Sequence, residues 1–236
     1  MDFKPKSTKA LGKTGVKILC YGRPNVGKTT QILTLRKPLI VTTERGLLTI
    51  RAYDLPFLTM ETLPDVYEFI DWLKIPSNYS QYNCIVLESI TDISYRILDT
   101  MKTTTKDGRK AYGETQDAII ALLRAITDNV HINFYITAWE YDHAVQDAPK
   151  IVQTRPELTG NVLPIFMPHL LDVIVQLGIH YRTVVDEKTK QQVQQAERFF
   201  QCNETANVLA RDRTGTLAMF EPANLQALFD KIASKP

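Results

Sequence analysis

The chain has 236 residues, 44% hydrophobic and 23% charged, which suits one α/β domain with a buried core and excludes a disordered or fibrous chain. A formal net charge of +2 excludes wholesale coating of nucleic acid, so any nucleic-acid site must be a local patch. No apolar stretch approaches a membrane span and the Met1-Asp2-Phe3-Lys4 start has no apolar core, so no membrane partner is expected and the cytoplasm is the expected compartment.

Strand-like apolar runs alternate with helix-periodic segments, the pattern of a mostly parallel sheet with crossover helices. The predicted strands are 16–21, 38–43, 84–87, 132–138 and 173–180, each rich in Ile, Val, Leu or aromatics, as strands buried on both faces are. Cys20 and Cys84 fall inside two of them, and the four histidines keep no metal-ligand spacing with any cysteine; reduced core cysteines and no zinc site are expected. Segment 64–73 starts with Pro and places Val66, Phe69, Ile70 and Leu73 at helical spacing. Segment 114–126 does the same with Ile119, Leu122, Leu123 and Ile126. Two stretches without periodicity, about 102–113 and about 141–166, read as long loops of the functional or disordered kind. The last third predicts a hairpin over 182–200 that turns at Asp186-Glu187-Lys188. Short strands follow over 207–211 and 216–220 about a Thr214-Gly215 turn, and a helix over 222–232 closes the chain. The expected architecture is one α/β domain over 1–236, with an N-terminal extension over 1–15 and an antiparallel C-terminal extension.

Gly22-Arg23-Pro24-Asn25-Val26-Gly27-Lys28-Thr29 is a complete Walker A motif, placed after a predicted strand and before an expected helix. Its glycines let backbone amides turn inward around phosphates, Lys28 reaches the β and γ phosphates, and Thr29 offers a hydroxyl to Mg²⁺. Gly22, Arg23, Pro24, Asn25, Val26, Gly27, Lys28, Thr29 and Thr30 therefore form the expected ATP contact, with the start of the helix adding its positive end. The metal needs a carboxylate at a neighbouring strand tip, and Ile85-Val86-Leu87-Glu88-Ser89 supplies Glu88. Asp is usual there, and Glu is one methylene longer. A second reading puts Glu88 in a catalytic-base slot and Leu87 in the metal slot; a third makes Glu88 a solvated strand end. Leu39-Ile40-Val41-Thr42-Thr43-Glu44 ends the second strand on a carboxylate. Strand carboxyl ends form the crevice in such sheets, so Glu44 is the expected base that orients water; the plainer reading is a surface Glu paired with Arg45. Residues 102–110 carry Lys102, Lys106, Arg109 and Lys110 against Asp107. That composition suits phosphate contacts with Tyr112 as a stacking residue, and equally suits a solvated charge run.

With these residues placed, the chain resembles the RecA superfamily of P-loop nucleotidases, and more narrowly the phage RecA-core ATPases that serve as single-strand annealing or recombination proteins. The likeness covers about residues 15–221. It implies a RecA-like core, ATP and Mg²⁺ as cofactors, and Glu44 of Thr43-Glu44-Arg45-Gly46 as catalytic residue. It also implies Glu88-Ser89 as the metal-strand end. A sensor of the γ phosphate is implied at the end of Phe134-Tyr135-Ile136-Thr137-Ala138-Trp139-Glu140, with Thr137 and Glu140 as candidates. Leu158-Thr159-Gly160-Asn161 stands where the family has a mobile DNA-binding loop, which makes Lys150, Arg155 and Asn161 candidate DNA contacts. Phe166 is a stacking residue or core. The family order also favours 102–110 as the other DNA loop. Ala210-Arg211-Asp212-Arg213-Thr214-Gly215 resembles an element whose cations reach the neighbouring subunit's ATP, so Arg211 and Arg213 are candidate catalytic residues in trans. The implied partners are single-stranded DNA, further copies of the chain in a ring or filament, and a single-strand-binding protein; a phage protein would work in its host's cytoplasm. The competing readings are a helicase-type motor, a nucleotide-dependent assembly switch with little hydrolysis, and a small-molecule kinase. About 15 residues before the first strand disfavour the motor.

Overall fold

A computed structural model describes residues 15–43, 45–129, 131–145, 148–185 and 191–234, without the side chains of 45, 46, 145 and 148–151. Ten strands form one hydrogen-bonded sheet. Its centre is parallel: β1 (Lys17–Tyr21) lies between β5 (Asn133–Val145) and β7 (Val173–Val185). Beyond β5 come β4 (Cys84–Glu88), β2 (Pro38–Thr42) and the edge strand β3 (Phe57–Thr59). The other side is antiparallel: β8 (Gln192–Gln201) pairs with β7, and β10 (Phe220–Pro222) with β8. This is the expected α/β class, a mostly parallel sheet with an antiparallel C-terminal extension.

Strand alternation builds two cores. Leu19, Tyr21, Ile85, Leu87, Phe134 and Ile136 face one side. There they meet α1 (Leu63–Leu73), α2 (Ile90–Thr104), α3 (Gly108–Asp128) and α4 (Leu163–Leu170). Ile18, Cys20, Cys84, Val86 and Tyr135 face the other side, against Val26, Ile32, Leu35 and α5 (Leu225–Ala233). The period of two therefore decides which strand-end side chains can meet the phosphate loop. All three cysteines are free and buried, and burial pushes the Cys20 thiol up to about 12.

Several elements differ from the sequence expectation. Residues 102–113 are helical except for the short 105–107 connection: α2 runs through Thr104, and Asp107 caps α3 by accepting from the Arg109 amide. The stretch lacks apolar periodicity because this end of the helix pair leaves the core, with Lys102, Lys106, Arg109 and Lys110 all exposed. Residues 141–145 and 148–166 are also structured. β5 continues past the sheet as an antiparallel hairpin with β6 (Ala148–Glu157), and α4 follows. The segment after the Walker A loop is a 3-10 helix, Thr29–Thr34, of two turns. Thr29, Thr30, Ile32 and Thr34 are β-branched, and Pro38 bars continuation. The short strands predicted near 207–220 shrink to β9 (Arg211–Asp212), paired with β7, and β10. The turn over 186–188 lies outside the described residues, although β7 and β8 pair from Gln176↔Gln201 to Val185↔Gln192. Among the described residues, no helix is long and apolar enough to cross a membrane.

Three hairpins overhang the carboxyl edge of the parallel strands. β5–β6 and β7–β8 continue past the register that joins them to β1. α3 has 21 residues, about 31 Å of helix. The five-residue β4 spans only about 17 Å. Since α3 ends just before β5 begins, its first turns and the 105–107 connection to α2 lie past the strand ends.

Candidate nucleotide-binding site

β1 delivers the chain into the Walker A loop at the carboxyl edge. Gly22 is required by a neighbour: a Cβ there would stand 2.8 Å from the Leu177 carbonyl oxygen of β7. Gly27 has φ +106°, a conformation that side chains resist, and Asn25 takes the left-handed region at φ 62°. Val26 plugs the loop into the core. Lys28 Nζ donates to the carbonyl oxygens of Gly22 at 2.6 Å and Arg23 at 3.0 Å, so the ammonium sits inside the loop. Burial lowers its pKa, against the opposing pull of nearby Cys20, Glu88 and Glu140. Tyr135 OH donates to the Lys28 carbonyl at 3.1 Å from beneath.

Glu88 ends β4 on the face that carries Val86, and Thr137 shares that face with Tyr135. Thr29 Oγ1 donates to Glu88 Oε1 at 2.8 Å, and Thr137 Oγ1 donates to Glu88 Oε2 at 2.8 Å. The extra methylene of Glu, compared with Asp, is thus taken up by a direct reach to the loop threonine. Leu87, the metal position of the second reading, packs in the opposite core. Burial raises the Glu88 carboxyl above its ordinary range, and the two threonine hydrogen bonds and Lys28 oppose that rise. Beside it across the β2–β4 register stands Thr42, whose buried Oγ1 has no hydrogen-bond partner among the described residues. A hydroxyl and a carboxylate already in contact, with a further unused hydroxyl near by, form the all-oxygen donor set that suits Mg²⁺. Thr29 and Glu88 are the residues that would hold it.

These groups line a cavity of about 680 Å³, together with Trp139 and Glu140 of β5, Glu157 of β6 and Arg198 of β8. Glu140 is tied to Arg23 at 3.2 Å and accepts from Gln176 Nε2 at 2.8 Å. Thr137, the other sensor candidate, is committed to Glu88 and the Leu87 carbonyl. Glu157 accepts from Tyr95 OH at 2.9 Å, and Trp139 lies 6.0 Å from Tyr95 in a tilted ring pair. The sequence reading passed over Glu157 and Arg198. Arg198 had a usable signal, since it lies two residues before Phe200, a buried member of the core beneath the loop. Glu157 had none, because its strand was read as loop.

The remaining candidates scatter. Glu44 lies outside the described residues; its neighbour Thr43 donates to Asp92 of α2. Arg211 and Arg213 stand at the amino edge, where β9 pairs with Val173 and Ile174 and the Arg213 amide donates to the Asp172 carbonyl. Through the registers with β7 and β1, Arg213 stands level with Lys17, roughly 17 Å along the strand before Gly22, and Arg211 level with Leu19, roughly 10 Å before it. β9 stops at Asp212, whose carboxylate accepts from the amides of Thr214, Thr216 and Leu217 and bends the chain. Arg211 donates to the Pro168 and Leu171 carbonyls of its own chain, while Arg213 is exposed. Lys102 stacks over Tyr112 at 5.1 Å, and Lys110 pairs with Glu114 at 3.6 Å. Arg155 donates to Gln153 at 2.8 Å, and the Lys150 side chain lies outside the described residues. Leu158-Thr159-Gly160-Asn161 is a fixed turn rather than a free loop. Leu158 and Thr159 are buried, and the Thr159 and Ser94 hydroxyls share a 2.5 Å hydrogen bond; Asn161 alone is exposed. Phe166 is half-buried beneath the Arg124 guanidinium.

The buried carboxyl makes metal binding proton-linked. A raised pKa means that Mg²⁺ must displace a proton from Glu88 over a pH range where an ordinary Glu is already ionised. Mg²⁺-dependent nucleotide binding should therefore weaken as pH falls, beginning above the ordinary range of Glu, and level off once Glu88 is ionised. Titration calorimetry from pH 5 to 8 checks this. The Glu88→Gln protein should bind Mg²⁺-nucleotide weakly at every pH, and a wild-type affinity flat across the range would contradict the assignment.

The family model described as AAA domain matches residues 14–214, from the start of β1 through the Thr214 turn. No curated protein matches the chain. The matched span holds the Walker A loop, Glu88, Thr137 and the hairpins that overhang them, and the chain belongs to the AAA domain family of P-loop ATPase-type proteins.

Proposed function

We propose that the chain is an ATP-dependent, single-stranded-DNA-binding recombination protein that promotes annealing or strand exchange and hydrolyses ATP between subunits of a ring or filament. The observation that carries the reading is the path from Glu88 to the basic tip. Ser89, next to Glu88, caps α2, and α2 runs without a break to Lys102 and the 105–107 connection. A group that would change partners on binding Mg²⁺-nucleotide is thus joined by one helix to four exposed cations at the same edge of the sheet. Such a helix can pass nucleotide state to a phosphate-binding surface.

In this reading Lys28 and the loop amides hold the phosphates, and Thr29 and Glu88 hold Mg²⁺, which when bound neutralises charge on the transferred phosphoryl group. Glu44, two residues after β2 in the sequence, orients the attacking water. Arg213 lies too far from its own loop to serve there, so it acts on the neighbouring subunit's ATP; Arg211, bound to its own α4, steadies that segment. Further DNA contacts come from Arg155, Asn161 and Lys150, and a single-strand-binding protein supplies the coated substrate. A nucleotide-dependent assembly switch with little hydrolysis is the second reading, favoured by the raised Glu88 carboxyl.

Replacing Lys102, Lys106, Arg109 and Lys110 together by Ala should weaken single-strand binding for all sequences alike. The log–log salt slope should become shallower by about 3, since each single-strand phosphate contact contributes roughly 0.7. Fluorescence anisotropy against salt reads this, and an unchanged slope would make the tip a solvated cap. Subunit mixing tests the interface. Lys28→Ala and Arg213→Ala proteins should each lack ATPase alone, and random co-assembly should restore roughly a quarter of the head-to-tail sites. A mixture that co-assembles and stays inactive would remove Arg213 from the neighbour's site.

A further inference from the structure

The antiparallel extension brings one more cation to the phosphate loop. Arg198 lies on β8, opposite Ile179 of β7, and alternation turns it to the side of Phe200, towards the loop. Its Nε donates to the Val26 carbonyl at 2.7 Å. The guanidinium lies directly over Gly27: a Cβ on that residue would meet Arg198 Nε at 2.9 Å and Cζ at 3.7 Å. Gly27 is needed for its φ, and its missing side chain leaves room for this guanidinium. Arg198 lines the same cavity as Lys28, Thr29 and Glu88. Among the described residues no carboxylate pairs with it, whereas Arg23 and Arg182 each have one.

We infer that Arg198 is a second cation of the phosphate site, supplied in cis from β8, whose Nη groups bind nucleotide phosphate oxygens while Nε stays anchored on the loop. The inference rests on the reading of residues 22–30 as the nucleotide site. The chemistry favours it over a structural tether alone. A tether to one carbonyl needs a single neutral donor, yet the residue present is a planar, permanently charged fork that matches phosphate geometry. One anchored nitrogen fixes the plane and lowers the entropy lost when the other two bind. The position also separates it from Arg213: Arg198 touches its own chain's loop, whereas Arg213 stands at the far edge of the sheet.

Fluorescent ATP binding to the full chain tests the assignment, with Arg198→Ala, Arg198→Gln and Arg198→Lys variants. Gln keeps a neutral N–H donor for the Val26 carbonyl and removes the charged fork. We expect Ala and Gln both to weaken ATP binding about 10- to 100-fold, the range for losing charge-assisted hydrogen bonds, and Lys to recover part of the loss. A Gln variant within twofold of wild type would overturn the inference and leave Arg198 a tether. Lys28→Ala runs beside these: if it too binds ATP normally, the reading of the loop itself fails. Mixed Arg198→Ala and Lys28→Ala subunits should regain no tight sites, since both cations belong to one chain; recovery would overturn the cis assignment.

Discussion

The structure turns on one carboxylate held between two hydroxyls. Glu88 accepts from Thr29 on one oxygen and from Thr137 on the other, both at 2.8 Å. That pair of bonds joins the segment after β1, the tip of β4 and the part of β5 that lies beside β1, three parallel strands whose order in the sheet is β1-β5-β4. A buried carboxylate is costly unless its lone pairs are satisfied, and here the partners are two neutral hydroxyls, of which Thr29 would also engage a phosphate-bound metal. The contact between Thr29 and Glu88 is the one that Mg²⁺ would replace. Burial keeps the carboxyl protonated more readily than usual, so a divalent cation at this site would compete with a proton for Glu88.

From that point the rest of the molecule follows by periodicity and length. Alternation puts Val86 and Glu88, Tyr135 and Thr137, and Arg198 and Phe200 on one side of their strands, so one core floor carries one site. The helices on the opposite face leave the strand ends free, and the long members overhang them. α2 begins at Ser89 and α3 ends before β5, so the basic connection between them cannot lie at the amino edge. Arg211 and Arg213 are placed at the opposite edge by the reverse argument. β9 docks on the first residues of β7, and a group tied to the start of a strand is remote from a loop that follows the end of its parallel neighbour.

Much of this was legible in the sequence, and the limits have physical causes. The Walker A motif needs particular residues at fixed spacing, because glycine must tolerate φ +106° and Lys28 must reach the loop interior. The inner strands are buried on both faces and read as apolar runs, so β1, β2, β4 and the first half of β5 appear as expected. Helix α1 was marked by its Pro and apolar stripe, and Thr62 and Asp65 add a reciprocal cap. What was misread lies outside the core. The meeting ends of α2 and α3 overhang solvent and carry threonines and lysines, so no stripe survives there. The hairpin arms of β5 and β6 gain order mainly from each other. The Thr-Gly-Asn turn resembles a mobile loop in letters, yet Thr159 is fastened to Ser94. Arg198 sits in a glutamine-rich, exposed strand, and only the buried Phe200 two residues on betrays its direction.

The central claim is that one edge of the sheet joins nucleotide chemistry to a strand-binding tip. The most direct test is steady-state ATP hydrolysis by the wild-type chain, titrated with single-stranded DNA of mixed sequence at low and moderate salt. The account predicts hydrolysis that rises with DNA and saturates, with the half-saturation point moving to higher DNA concentration as salt increases. A rate indifferent to DNA at every salt concentration, in protein that binds ATP, would contradict it.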